Sequence, residues 1–351
     1  MLTEIVFSIP GVGRLMIDAI KQRDFPIVQG SVLFVAACFS LVNLAVDLLY
    51  AVVDPKVSKE YEGGWKMEEK KSRSQFMMVL KRLSKNRMAI LGLIILLLLI
   101  IMGIFADFIA PYGYAEMDWK SPFQHPSAQH WFGTDEFGRD IFSRIVYGAR
   151  ISLLVGFVSV GIAVVVGGTL GAIAGFYGKR VDNVIMRLMD ILLSIPQTLL
   201  AIAIVAALGT GLVNLMIAVG VSSVPTYARI VRASVLTIRE EEYIEAAKAS
   251  GTKNSKIIMK HILPNCVAPV IVQVTLGMAG AILTAAGMSF IGLGIQPPNA
   301  EWGNMLSAGR DYIRGYSYMT LFPGLAIVIT VLSLNLLGDG LRDALDPKLR
   351  N

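Results

Sequence analysis

The chain has 351 residues, 54% of them hydrophobic and only 17% charged, with a mean hydropathy of +0.61. A soluble domain carries about a quarter charged residues, so that class is excluded. The net charge of +6 invites a nucleic-acid reading, but in a chain this apolar the location of the charge matters more than its sum.

Seven apolar windows predict membrane spans, at 31–53, 88–110, 151–176, 187–209, 212–234, 266–293 and 320–341. The first follows about thirty residues without a basic n-region or a cleavage site, so it does not read as a secretory signal. It ends in "NLAVDLLYAVVDPKV" (43–57), and the chain ends in "NLLGDGLRDALDPKL" (335–349), the same pattern shifted by 292 positions. The second window, "MAILGLIILLLLIIMGIF" (88–105), holds no charge over a length that nearly spans a bilayer. Runs this long and uniformly apolar are helices, not barrel strands. The fold class is an all-α polytopic bundle of six core spans preceded by one extra N-terminal span. Gly167, Gly168, Gly171, Gly277 and Gly280 permit close helix contact, and Pro196 and Pro225 permit bends that neighbours can satisfy.

Orientation follows from Lys and Arg in the connections. Residues 54–87 hold ten and the segment 229–261 holds seven, whereas 111–149 and 294–319 carry fewer, balanced by acids. The N-terminus is therefore expected outside, and the loop at 241–265 and the C-terminus in the cytoplasm. Cys38 and Cys266 lie far apart in or beside apolar segments, with no zinc spacing and no disulfide framework.

The polar connection "EEYIEAAKASGTKNSKIIMKHILPN" (241–265) is full of helix formers. A first helix runs through Ile244, Ala247 and Lys248, and Gly251 stops it in the left-handed region. Thr252 or Asn254 caps a second helix through Ile257, Ile258 and Met259, which Pro264 ends before the next span. A DNA-reading helix pair would present polar side chains to base edges. This one presents Ile257, Ile258, Met259 and Ile262 and is tethered to membrane at both ends, so nucleic acid is not a partner. An amphipathic loop lying on the membrane is the plainer alternative.

Glu245-Ala246-Ala247, Gly251 and His261-Ile262-Leu263-Pro264 resemble the EAA motif of ABC importer permeases. "FGTDEFGRDIFSRIVYGARISLLVG" (132–156), "VDNVIMRLMDILLSIP" (181–196), "GMSFIGLGIQPPNAEWGNML" (287–306) and "LFPGLAIVITVLSLNLLGDGLRDALDPKLR" (321–350) are similar to the dipeptide, oligopeptide and nickel branch. The likeness covers about 67–350 and points to the second of two permease subunits. It implies a type I, MetI-like bundle in the cell membrane, importing di- or oligopeptides, with nickel as the alternative cargo. It also implies a homologous partner permease, one or two cytoplasmic ATP-binding subunits and an external solute-binding protein. Glu245, Ala246, Ala247, Gly251, His261, Leu263 and Pro264 would form the loop that couples to the ATPase. Ala246 and Ala247 would leave room for close approach, and Glu245 would pair with a group on that partner. No G-x-x-x-x-G-K-[ST] occurs, and "GTKNSK" (251–256) lacks the second Gly. ATP and Mg are thus expected on another polypeptide, and this chain is not expected to be an enzyme. From other classes, the rivals are a channel or ion-driven carrier and a non-transporting scaffold.

The expected organisation is a fragment at 1–57, a basic cytoplasmic linker at 58–87, a first core span at 88–110 and an outer loop with an interfacial helix at 111–149. The permease core follows at 150–343, then a cytoplasmic tail at 344–351. In the outer loop His125, His130, Asp135, Glu136 and Asp140 gather, but their spacing fits a hydrogen-bonded turn better than a metal site. Trp131 and Phe132 read as headgroup anchors. Arg187, Asp190 and Asp339 lie near span ends and read as packing or helix-end pairs. No substrate-binding residue is named. Residues 4–57 resemble the last outer loop and final helix of the partner permease. A gene fusion, a frameshifted partner gene and an early start codon all account for them, the latter two being preferred. A chain beginning at Met67 is then expected to insert with six spans.

Overall fold

The computed structural model describes residues 10–22, 24, 26–39 and 82–345. The two "DPK" sequences, the end of the first window and most of the basic linker lie outside them. The described residues are helical with one isolated bridge, Thr134 to Asp140. Helices α1 (Val12–Lys21) and α2 (Pro26–Phe39) precede the core. The core runs α3 (Arg87–Ile104), α4 (Ala106–Ile109), α5 (Ile141–Tyr177), α6 (Lys179–Leu193), α7 (Gln197–Leu208), α8 (Leu212–Arg239), α9 (Glu242–Ala249), α10 (Asn254–Phe290), α11 (Trp302–Gly309) and α12 (Tyr318–Leu345).

Four of these, α3, α5, α10 and α12, are long and apolar enough to cross a membrane, and a fifth crossing is formed if α6 and α7 count as one broken span. The expected span at 187–209 is therefore corrected. α6 and α7 meet at 88°, because Pro196 offers no backbone N–H and disfavours helix at Ile195 before it. The expected span at 212–234 falls within α8, which is 28 residues long and keeps Ser222, Ser223 and Tyr227 buried inside the bundle.

α5 and α8 form the centre. A Cβ on Gly167 would lie 2.5 Å from the Val224 carbonyl oxygen, and one on Gly171 would strike the Ala228 carbonyl. The two backbones thus approach as small residues allow. Gly168, one position away, has only Val231 at 3.8 Å, and Gly280 has open space, so neither is a contact glycine. Gly277 is one, because the Tyr227 hydroxyl occupies the space a side chain would need and donates to the Gln273 carbonyl at 3.0 Å. Around this pair α3 presents Ala89 and Gly92 to α12 and leaves Leu91, Leu97, Leu98 and Ile101 exposed, an apolar face suited to lipid.

At one end of the bundle the loops 110–140 and 291–317 pack together. Asp140 caps α5 by accepting from Ser143 N at 2.7 Å, and its other oxygen holds His130 Nδ1 at 2.9 Å. Asp135 accepts from Phe137 N, Arg139 N and Arg139 Nε. Trp302, fully buried, donates to the Ile145 carbonyl at 3.1 Å. The hydrogen-bonded turn expected here is present, but the interfacial helix is not a separate element: residues 141–149 are the first turns of α5. At 37 residues and about 1.5 Å each, α5 outruns the roughly 30 Å hydrocarbon layer. Phe132 is corrected too. It stacks on Phe322 at 4.0 Å and belongs to the packed end, whereas Trp131 is exposed.

Candidate functional site

The helix pair at 242–266 closes the opposite end of the bundle. α9 carries Glu242 and Glu245 in its first turn and Lys248 in its last, an order that suits the helix dipole. It stops where expected. Gly251 sits at φ +74°, its N–H donates to the Lys248 carbonyl, and Thr252 N–H donates to the Ala247 carbonyl. That pair of bonds is the Schellman arrangement, which satisfies the last carbonyls of a helix.

The second half departs from expectation twice. Lys253 stands at the cap position with no side-chain bond, while the Thr252 hydroxyl pairs with Ser250 Oγ at 3.2 Å. Neither Thr252 nor Asn254 caps the helix. Nor does Pro264 end it. The chain widens into a π turn over Ile258–Ile262, tightens into a 3₁₀ turn over Leu263–Cys266 and continues to Phe290. Lacking an N–H, Pro264 interrupts the regular ladder, and the change of pitch absorbs the interruption without breaking the rod.

One face of the pair is sealed against the bundle. Ile244, Ile257 and Ile262 are fully buried and Cys266 nearly so, packed with Ala172 and Phe176 of α5 and Val231 and Val235 of α8. Arg239 Nη1 donates to the Gly175 carbonyl at 3.0 Å, placing a cation on the C-terminal end of α5. Lys248 Nζ stands 5.6 Å from the centre of the Phe176 ring. Asn265 Nδ2 meets the Tyr243 hydroxyl at 3.2 Å and the His261 carbonyl at 2.6 Å, tying the start of α9 to the 3₁₀ turn.

The opposite face is exposed. Glu245, Ala246, Gly251 and Pro264 are exposed, and Met259 is 64% exposed. Glu245 makes no ion pair among the described residues. Ala247, His261 and Leu263 are half-buried. Ala247 packs toward Ile257 and Phe176, so of the two alanines Ala246 alone is offered outward. Tyr243, Asn265, Arg239 and Phe176 belong to this site and escape the motif-based reading. Tyr243 and Asn265 stand within the 241–265 stretch without being singled out there, and only the fold brings Phe176 of α5 and Arg239 of α8 to the loop.

Elsewhere, Asp190 pairs with Arg229 at 2.6 Å and Asp182 with Arg232 Nη2 at 2.6 Å. The charges at this end of the bundle thus include helix-to-helix pairs. Among the described residues no group of three or more His, Cys, Asp or Glu side chains is placed to hold a metal ion. His125 lies against the rings of Tyr316 and Tyr318 instead. Midway along the bundle a cavity of about 220 Å³ is lined by Gln197, Ser223, Thr226, Tyr227, Gln273 and Thr284 among others, amides and hydroxyls without a charge.

Comparison with known proteins places these features. Residues 74–126 match the N-terminal transmembrane domain of oligopeptide transport permease C. The dipeptide transport system permease protein DppC of Alkalihalophilus pseudofirmus is 55% identical over 77% of this chain and 89% of its own. The di/tripeptide permease DppC of Pseudomonas aeruginosa is 47% identical over 76% and 90%. The solved methionine ABC transporter MetNI, in inward-facing conformations, aligns at 21% identity with a TM-score of 0.48 over 57% of this chain and 96% of that one, a likeness too slight to bear on function. Residues 1–59 and 167–351 match the binding-protein-dependent transport system inner membrane component, and the chain belongs to that family.

Proposed function

We propose that the chain is one of two permease subunits of an ABC importer that moves di- or oligopeptides across the cell membrane. ATP, with Mg, is hydrolysed on one or two separate cytoplasmic subunits, and an external binding protein delivers the cargo. The observation that carries this reading is the two-sided helix pair. Its inner face is packed into the ends of α5 and α8, and its outer face offers Glu245, Ala246 and Gly251. A partner that moves that face moves the spans with it, a two-state switch rather than chemistry. The peptide-permease relatives support the cargo. The uncharged mid-bundle cavity suits a route that handles peptides without selecting side chains by charge.

The test is uptake of labelled dipeptide into proteoliposomes holding this chain, a second permease and the ATPase, with binding protein outside and ATP inside. Gly251→Ala should lower ATP-dependent uptake by about tenfold, the factor that ~1.4 kcal/mol represents. Uptake that proceeds without ATP would point to a channel or carrier. Unchanged uptake in Gly251→Ala and Glu245→Arg would remove the coupling role. Accumulation of nickel but no peptide would replace the cargo.

A further inference from the structure

The shift of 292 positions that aligns the two endings also sets Pro26 on Tyr318, the first residues of α2 and α12. It sets Val12–Lys21 on residues 304–313, which hold most of α11 and the 3₁₀ turn Arg310–Tyr312. Thus α1 and α2 correspond in register to the unit formed by α11 and α12. Residues 1–59 match the same family as 167–351, a second sign of that correspondence.

The two units do not pack alike. In the first, Trp302 and Met305 are buried among Ile141, Ile145 and Ala149 of α5 and Ala286 of α10. In the second, Met16, Ile17, Ala19 and Val28 are 1–6% exposed and share a core with Leu199, Ile202 and Val205 of α7 and with Ile291, Leu293 and Ile295. The core's own α11 sits elsewhere, so this apolar face is free to receive such a unit from another permease domain. The seam is looser than the core: beside the packed contacts lies an open pocket of about 610 Å³ lined by Ile17, Ile20 and Val28 on one side and Val205, Leu208 and Leu293 on the other. Native interiors close such gaps, whereas a docked segment leaves them.

We infer that the face formed by α7 and residues 291–295 is a permease–permease interface, and that residues 12–39 occupy it in cis in place of the equivalent segment of a second domain. The inference rests on reading the chain as one of two permeases. A whole second permease that uses this face must displace α1.

The test uses the full chain with Cys38→Ser and a protease site inserted within 58–66. Met16→Cys with Leu199→Cys, and separately Ile20→Cys with Leu293→Cys, are oxidised in membranes, cleaved and run without reductant. The N-terminal fragment should stay attached to the core in both pairs, at the mass of a single chain. Release of the fragment in both pairs overturns the inference. So does a band of two linked chains, or equal capture when Met16→Cys is paired with Leu306→Cys beside α11. Since the readout is a cross-link and not uptake, its failure leaves the transport reading to its own test.

Discussion

Glu136 holds its carboxylate between Asp135 and the rim of a small cavity, with Oε2 buried and no hydrogen-bond partner. Burial, then the charge of Asp135, pushes its pKa up, outweighing the attraction of Arg139 and Arg144. A carboxyl raised above its unfolded value stabilises the fold below that unfolded value, and the contribution is lost as pH rises through the folded one. Glu136→Gln should therefore raise the thermal midpoint in detergent at pH 7, and the gain should vanish near pH 4. Gly251 is the opposite kind of site. No atom lies within 4 Å of where its Cβ would stand, so Gly251→Ala is opposed by the positive φ alone, about 1–2 kcal/mol. Hydrogen exchange at Thr252 should read that loss as faster opening of the turn. Gly251 and Glu245 are legible as residues because a chain reversal and an exposed acid have local signatures. The inward turn of Ala247 is not legible, since it depends on where Phe176 lies.

At the scale of elements, glycines three positions apart separate packing from propensity. Gly171→Ala drives a methyl into the Ala228 carbonyl and should destabilise α5 against α8 by about 1–3 kcal/mol. Gly168→Ala meets only Val231 at 3.8 Å and should be neutral or stabilising, since Ala exceeds Gly in helix propensity by ~1 kcal/mol. Thermal unfolding of the two variants in the same detergent checks the pair. In sequence both are glycines in an apolar run, and the run cannot say which of them faces α8. The break between α6 and α7 follows the same logic. Pro196 marks a bend, but whether it kinks or folds a helix back depends on what each half packs against.

Across the whole molecule, the helix pair at 242–266 must transmit force from its exposed face to its buried one. Truncating Ile244, which is fully buried, to Ala should cost about 2–5 kcal/mol and lower both the thermal midpoint and ATP-dependent uptake. Glu245→Arg touches no packed group, so it should leave the midpoint within about 0.5 kcal/mol while uptake falls. A loss of stability in Glu245→Arg would show that the residue serves the fold rather than a partner. The apolar runs, the basic connections, the helix stop at Gly251 and the repeated ending follow from the sequence by itself, because hydropathy, charge and backbone preference act over one or two turns. Tertiary structure alone decided that α8 keeps its polar residues inside, that Pro264 shifts pitch without ending a helix, and that the N-terminal counterpart of the terminal unit lies on α7. Each depends on which surfaces meet, and side chains far apart in sequence settle that by excluding lipid or filling the space beside a backbone.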